Sequence, residues 1–179
     1  MKLRIGLVIT VLTSIGLMIA CNPNPATNTG GSAPNTTAPS SVAAPLPDNG
    51  FRAEVTIAEP PTKLRTGQKE TINIKIKNVS DVTWFQRGGE INNETGNKFY
   101  LAAGNQWLDK DGKQTTEEEG HNGIPKNLKP GEETQMTLLI TAPKTPGEYF
   151  MRLDMVQEGV AWFGDKGSTT TKVPVTVVK

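Results

Sequence analysis

The residue types that most often carry out chemistry are scarce in this chain. Its 179 residues contain one cysteine, Cys21, and one histidine, His121. A serine or cysteine nucleophile needs a base beside it, most often a histidine. His121 lies in the polar, glycine-bounded stretch EEEGHNGIP, which is typical of a solvated loop. The sequence therefore predicts neither a catalytic site nor a histidine-based zinc site, and it indicates no cofactor.

One acidic stretch offers oxygen ligands for a cation. Between Asp109 and Glu119 the chain carries five carboxylates: Asp109, Asp111, Glu117, Glu118 and Glu119. An EF-hand loop needs glycine at its sixth position and glutamate at its twelfth. Counted from Asp109, those positions hold Gln114 and Gly120, so the EF-hand pattern is not met. Whether the stretch forms a looser calcium site stays open.

The beginning of the chain has the layout of an export signal. MKLR is basic, and the apolar stretch IGLVITVLTSIGLMIA that follows is shorter than the roughly 20 residues of a membrane span. The segment ends in LMIAC, which resembles the lipobox of bacterial lipoproteins, where a small residue precedes an invariant cysteine. The resemblance implies cleavage after Ala20 and attachment of a diacylglyceryl group to the Cys21 thiol.

Lipidation would make Cys21 a membrane anchor. Two or three acyl chains, palmitate among them, hold a protein firmly, whereas one chain gives only marginal binding. In enterobacterial lipoproteins an Asp after the cysteine retains the protein at the inner membrane, and here Asn22 takes that position. We therefore expect an exported, lipid-anchored protein at the outer membrane or cell surface.

The sequence predicts three segments: a signal peptide over residues 1–20, a lipidated cysteine with a flexible linker over 21–50, and a folded domain over 51–179. The linker is rich in proline, contains no aromatic residue, and has Asp48 as its single charged residue. Such a composition cannot bury a core. We expect it to act as a tether.

Beyond Phe51 the apolar residues alternate with polar ones. In ETINIKIKNVS the residues Ile72, Ile74 and Ile76 fall on one face, which predicts a strand with one buried side. The same alternation marks further stretches through Leu138 and Leu153, separated by Pro/Gly turns. We predict an all-β domain, an immunoglobulin-like antiparallel sandwich of about seven or eight strands.

Two aromatic residues have positions typical of a sandwich core. Trp84 follows the isoleucine strand and a turn, where a tryptophan commonly fills the space between two sheets. Tyr149 enters a long strand after TPGE, where sandwich domains often bond a tyrosine hydroxyl to backbone across the corner. Both are predicted to be structural.

The order of these motifs resembles the immunoglobulin-like FW (four-tryptophan) domain of a selective-autophagy receptor and its bacterial relatives. KPGE, APKTPGEY and EGVAWF carry the resemblance, which covers most of Gly67 to Val178. This chain has Trp84, Trp107 and Trp162, while Leu153 stands where bacterial relatives often have tryptophan. The resemblance implies a module that binds other proteins without catalysis.

The charge balance argues against nucleic acid as a partner. The formal net charge is +1, and the two bases of the leader, Lys2 and Arg4, are not matched by acids there. A nearly neutral domain has little long-range attraction for a phosphate backbone. The partners that remain are the membrane, through the acyl chains on Cys21, and an unidentified protein or envelope glycan.

The candidate ligand surface consists of four aromatic residues near two long connections: Phe85, Tyr100, Trp107 and Trp162. Long loops on a rigid sandwich are frequent binding regions. Trp107 is the first choice for an exposed stacking residue, although its pattern fits core packing equally well. We expect a non-catalytic protein-binding module, with a glycan- or cell-wall-binding module as the alternative.

The lipobox resemblance generates a direct prediction. Globomycin blocks the removal of lipoprotein leaders, so treated cells should accumulate a precursor that migrates more slowly than the mature chain. Immunoblotting of treated and untreated cells measures this, and a Cys21→Ser variant is the matched control because its processing should not respond. Unchanged mobility of the wild type on treatment would contradict the lipoprotein interpretation.

Overall fold

The computed structural model describes residues 41–115 and 120–179. Within these ranges the chain forms nine strands and two short 3-10 turns, and none of the helical segments is long and apolar enough to cross a membrane. The turns span Asp48–Gly50 and Gly164–Lys166. The strands are β1 Ala53–Ile57, β2 Lys63–Arg65, β3 Lys69–Asn78, β4 Leu101–Leu108, β5 His121–Gly123, β6 Glu133–Thr141, β7 Gly147–Gln157, β8 Ala161–Trp162 and β9 Thr171–Val178.

The strands are arranged in two sheets. The smaller sheet has the order β1-β3-β6, and the larger has the order β2-β9-β7-β4-β5, with β8 paired to β7. All of these pairs are antiparallel except β2 with β9. The predicted all-β, immunoglobulin-like sandwich is confirmed. The described residues form nine strands where about seven or eight were predicted, and three of the nine, β2, β5 and β8, are only two or three residues long.

The core lies between the two sheets and follows the alternating pattern. Ile72, Ile74 and Ile76 of β3 are buried, while the residues between them remain largely accessible. Leu138 of β6 lies opposite Ile72 in the register of the smaller sheet. Leu153 of β7 belongs to the same buried cluster from the larger sheet. The alternation therefore determines which face of each sheet points into the sandwich.

Strand β4 was not predicted from the sequence. Its residues, LAAGNQWL, are all buried, because both of its faces are covered. A strand with two covered faces has no alternation between apolar and polar residues, so the pattern that reveals the other strands is missing. β4 lies between β7 and β5 in the larger sheet.

Trp84 closes one end of the core. The residue is fully buried, and its indole Nε1 donates a hydrogen bond to the carbonyl oxygen of Gly50 at 2.9 Å. Its ring meets Phe163 edge to face at 5.3 Å, and Phe163 meets Phe51 in the same way at 5.0 Å. This aromatic cluster joins the start of the domain to the end of the β7–β8 region.

Tyr149 lies near the start of β7, at the end of the strand that is farther from β8. Its hydroxyl donates a hydrogen bond to the carbonyl oxygen of Thr145 at 3.0 Å. The half-buried ring packs edge to face against Trp107, with 6.3 Å between the ring centroids. The bond ties the turn before β7 to the strand itself.

The packed domain begins earlier than the predicted boundary at Phe51. The backbone N–H of Ala43 donates to the carbonyl oxygen of Ile91 at 2.8 Å. The side chain of Gln157 accepts from the N–H of Leu46 at 2.8 Å and donates to the carbonyl oxygen of Ala44 at 3.0 Å. Backbone hydrogen bonds need no apolar side chain, so composition did not reveal this attachment. The remaining residues assigned to the linker, Cys21 and the leader lie outside the described residues.

The assignment of inward-facing and outward-facing residues in β3, which we call the strand phase, is tested by placing a charge in the core. Ile74 is 2% exposed, so Ile74→Asp buries a carboxylate without a partner and costs several kcal/mol of a total stability of about 5 to 15 kcal/mol. We expect the variant to lose cooperative thermal unfolding, measured by circular dichroism. Thr71→Asp, at an exposed position of the same strand, is the control and should melt like wild type. A wild-type melt for Ile74→Asp would show that the phase is wrong.

Candidate functional site

The structure buries one of the four aromatic residues of the predicted ligand surface and leaves three half-buried. Trp107 is only 1% exposed, and its Nε1 donates to the carbonyl oxygen of Thr141 at 2.8 Å. It lies on the inward phase of β4 and is part of the core, so it is not a stacking residue. Phe85, Tyr100 and Trp162 are half-buried.

Trp162 lies against a glycine of the central strand. It is paired with Val156 of β7 in the two-residue strand β8. A Cβ atom added to Gly104 would be 2.7 Å from Cη2 of the Trp162 ring and 3.0 Å from Cδ2 of His121. A glycine in a strand interior often marks such a close approach. Both rings can therefore occupy these positions only because residue 104 has no side chain.

His121 supports the indole from the next strand. It lies on β5, opposite Gly104, and its ring is nearly perpendicular to that of Trp162 with the centroids 5.0 Å apart. Its Nδ1 is 2.9 Å from Oε1 of Glu158, and the two side chains are 32% and 29% exposed. The histidine that was expected in a solvated loop is exposed, but it lies in a short strand with its ring against Trp162 and its Nδ1 at Glu158.

Asp154 is a buried carboxylate on the same sheet face. It lies opposite Gly104 in the β4–β7 register, and directly opposite residues point to the same side. Its Oδ1 accepts from the N–H of Met155 at 2.7 Å, and its Oδ2 accepts from the N–H of Gly164 at 2.9 Å. The second bond holds the segment that follows Trp162 against β7.

Burial raises the pKa of Asp154 from its ordinary value of 3.8 to about 6. The two backbone N–H donors and the positive charge of Arg152 oppose this rise, and the negative charge of Asp165 adds to it. The carboxyl is 1% exposed, so loss of hydration dominates the balance.

Arg152 and Gln106 extend the face by one more pair. They are directly opposite in the register and lie two residues along from Asp154 and Gly104, hence on the same side. Arg152 donates from Nε to Oε1 of Gln106 at 2.7 Å and also from Nη2. We call the surface formed by these side chains the Trp162 face; it consists of Trp162, His121, Glu158, Arg152 and Gln106.

The described residues show no metal-binding group. No three His, Cys, Asp or Glu side chains within residues 41–115 and 120–179 are placed to hold an ion together. In the acidic stretch, Oδ1 of Asp109 accepts from the N–H groups of Asp111 and Lys113, each at 2.9 Å. These bonds form a turn. Residues 116–119, with the three glutamates of the calcium hypothesis, lie outside the described residues.

Sequence reasoning missed five residues that build or support the face: Gly104, Gln106, Arg152, Asp154 and Glu158. Gly104 and Asp154 had a signal, because a glycine within an apolar run and an acid in the strand RLDMV are unusual in a sheet interior. Glu158 had none, because the histidine that it contacts is distant in the chain. Only the pairing of β4 with both β5 and β7 brings these residues together.

No protein-family model matches the chain, and no curated protein sequence matches it. Solved structures with a similar fold include the CARDB domain of a Pyrococcus furiosus protein, at 13% identity over 71% of this chain and 93% of that chain, with a TM-score of 0.37. A β-glucosidase from Listeria innocua is 15% identical over 72% of this chain, with a TM-score of 0.42, and the match spans only 16% of the enzyme. The C-terminal domain of wzt is 10% identical over 71% of both chains, with a TM-score of 0.39. Such likeness concerns the fold alone.

The raised pKa of Asp154 predicts a pH dependence of stability. Because the folded-state pKa of about 6 lies above the ordinary 3.8, the contribution of this group to stability is fully present below pH 3.8 and is lost as the pH rises through 6. One pKa unit corresponds to about 1.4 kcal/mol, so the loss amounts to at most about 3 kcal/mol.

Urea unfolding of wild type and Asp154→Asn between about pH 4 and pH 8 measures this effect. The variant does not titrate at this position, so the free energy of unfolding of the wild type should rise relative to that of the variant as the pH falls. Asp165→Asn, at an exposed neighbouring position, is the control and should leave most of the pH dependence in place. A wild-type-minus-variant difference that is constant with pH would contradict the assignment.

Proposed function

We propose that the chain is a lipid-anchored envelope protein whose β-sandwich binds another protein through the Trp162 face and catalyses no reaction. The observation that carries the proposal is a half-buried tryptophan held in one place by a glycine beneath it and a histidine at its edge. A large side chain that is already ordered loses little conformational entropy on binding.

The composition of the face favours a protein partner. Tryptophan and arginine are the residue types enriched where a few side chains carry most of the binding energy of an interface. Trp162 and Arg152 lie on the same face of the larger sheet, each beside a polar group that orients it. Glu158 adds a partly exposed carboxylate beside His121. An apolar centre with polar groups around it is the usual anatomy of a protein interface.

The membrane anchor belongs to the same proposal and rests on the lipobox resemblance at Cys21. Residues 22–40 separate this cysteine from the first described residue, Ser41. As a flexible coil they would span roughly 25 Å, from about 5 to 6 Å times the square root of the residue number. The domain would therefore sit close to the membrane surface and still reorient toward a partner.

Glycan binding is the second candidate function, and the partial exposure of Trp162 favours it. Sugars stack their apolar faces on indole rings, and one accessible ring suffices for weak stacking. Trp107, the residue on which this alternative first depended, is buried in the core. The alternative now depends on Trp162 first, with Phe85 and Tyr100 as the other half-buried aromatic residues.

Site-specific photocrosslinking in cells tests the protein-binding proposal. A photoreactive phenylalanine analogue replaces Val160, which is 37% exposed in the turn before Trp162. We expect a discrete crosslinked protein of higher mass, and we expect Trp162→Ala in the same background to reduce its yield severalfold. A photoreactive residue in place of the exposed Lys129, beside the smaller sheet, is the matched control and should not give this product.

The same variants separate the two candidate functions. If Val160 gives no crosslinked protein and Trp162→Ala lowers the retention of the chain on insoluble cell-wall polymers, the glycan alternative replaces the protein-binding proposal. If Trp162→Ala keeps both the crosslinked product and the retention on cell-wall polymers, the Trp162 face takes part in neither candidate function. Thermal unfolding of Trp162→Ala should remain cooperative, because the residue is only half-buried.

A further inference from the structure

The smaller sheet has one edge that is open along half of β3. Strand β1 pairs with β3 from Asn78 back to Ile74 and no further. Strand β6, on the other side, pairs with β3 from Lys77 to Lys69. Residues 69–73 of β3 therefore have a neighbouring strand on one side only.

The hydrogen bonds show which backbone groups point to the open side. The N–H of Asn78 donates to Glu132 on the β6 side, and the carbonyl oxygen of Gln68 accepts from Ala142 on the same side. Successive residues of a strand direct their N–H and C=O groups to opposite sides. The odd-numbered residues between them, Thr71 and Asn73 included, therefore point away from β6.

The pairing of β1 with β3 stops at Ile57 and Ile74, so no strand lies opposite Thr71, whose N–H and C=O groups make no hydrogen bond to a described residue on the open side. The chain from Ala58 to Pro61 leaves the smaller sheet there and crosses to β2 in the larger one. Two hollows of about 370 and 440 Å³ adjoin the gap, and both are lined by Ala58 and Asn73. The unpaired backbone groups thus face space that a further segment of chain can fill.

Other parts of the edges of this sheet are covered. The N–H of Ala53 in β1 donates to Oγ of Ser168 at 2.9 Å, and Oγ1 of Thr171 donates to the carbonyl oxygen of Val55. On the β6 side, Nδ2 of Asn122 donates to the carbonyl oxygen of Thr137 at 2.7 Å. Covering an edge with side chains in this way prevents pairing with other chains. Residues 69–73 lack such a cover.

We propose that residues 69–73 of β3 bind an extended segment of another protein, which adds to the smaller sheet as a strand. Alternating N–H and C=O groups at the spacing of a strand are complementary to extended peptide backbone. This site is separate from the Trp162 face, and the two can fail independently.

The side chains beside the open edge define the chemistry of the partner. Lys69 and Lys75 are exposed on the outer face of the sheet, and Lys75 lies 3.5 Å from Glu133 on the far side. The buried Ile72 faces inward. Of these two bases only Lys69 lies beyond the end of β1, since Lys75 is opposite Thr56. A bound strand would therefore have an acidic residue on its outer face opposite Lys69 and an apolar residue opposite Ile72. Glu59 and Glu70 line the smaller hollow, so no further acidic position is expected there.

The open edge lies away from the point where the tether joins the domain. The first described residues bond to Gln157, the last residue of β7. Residue Lys69 pairs with Thr141, at the end of β6 that leads into the start of β7. Eleven residues of strand, about 35 Å, separate the two ends of β7. The open edge is therefore distant from the point where the tether joins the domain.

Two nonapeptide display libraries test the proposal on the detergent-solubilised full chain. In both, valine or isoleucine alternates with polar residues, which are acidic in one library and basic in the other. We expect binders from the acidic library, and we expect the best peptide to slow amide hydrogen exchange at Thr71 and Asn73 and not at Lys129. Failure of the acidic library to yield binders would overturn the proposal, as would a preference for basic peptides.

Two substitutions locate the binding without disturbing the β3–β6 ladder. Thr71→Pro removes an N–H that points to the open side, where proline is tolerated in an edge strand, and should weaken peptide binding by about tenfold or more. Thr71→Val keeps the N–H and should bind like wild type. The proposal would be overturned if Thr71→Pro bound the peptide as well as wild type, or if the peptide protected other amides instead. It would also be overturned if the wild type formed a dimer that Thr71→Pro dissociates, because the open edge would then bind a second copy of the chain.

Discussion

The apolar contact between the two sheets is the interaction on which the rest of the structure depends. The isoleucine row of the three-stranded sheet gains stability only when it is removed from water. The larger sheet supplies that cover through the inward residues of β4, β7 and β9, such as Trp107 and Leu153. Once this contact forms, the outer face of the larger sheet and the edges of the smaller one are determined. Both candidate binding surfaces lie on those outer regions.

The outer face of the larger sheet shows how one missing side chain organises a surface. Gly104 lets the rings of Trp162 and His121 approach the sheet from two different strands. Asp154, opposite this glycine, anchors the segment after Trp162 through the N–H of Gly164. The buried carboxylate lowers stability at neutral pH, because burial disfavours its charged form. Asp154 therefore fixes the segment after Trp162 at a cost to stability near neutral pH.

The smaller sheet has a covered edge at β1 and an open edge at the start of β3. β1 has its edge covered by Ser168 and Thr171, whereas β3 loses its neighbour where the chain crosses between the sheets. The crossing is a consequence of the topology, since β1 belongs to one sheet and β2 to the other. It leaves the N–H and C=O groups of Thr71 without a partner among the described residues on that side. The same crossover that closes the sandwich thus creates a place for a strand from outside.

The sequence by itself determined the fold class and the inward face of most strands. In β3, β6 and β9 the apolar residues recur at every second position, and this period directly reports which side of a strand avoids water. The tertiary structure decided the rest. β4 is buried on both faces and its sequence shows no alternation, so neither the strand nor the inward direction of Trp107 could be predicted from the sequence. It also decided that Trp162, His121 and Glu158 meet, because a local pattern records burial but not which strand lies beside which. Pairing between strands distant in the chain depends on the packing of the whole domain, and that packing made Trp107 core and left Trp162 at the surface.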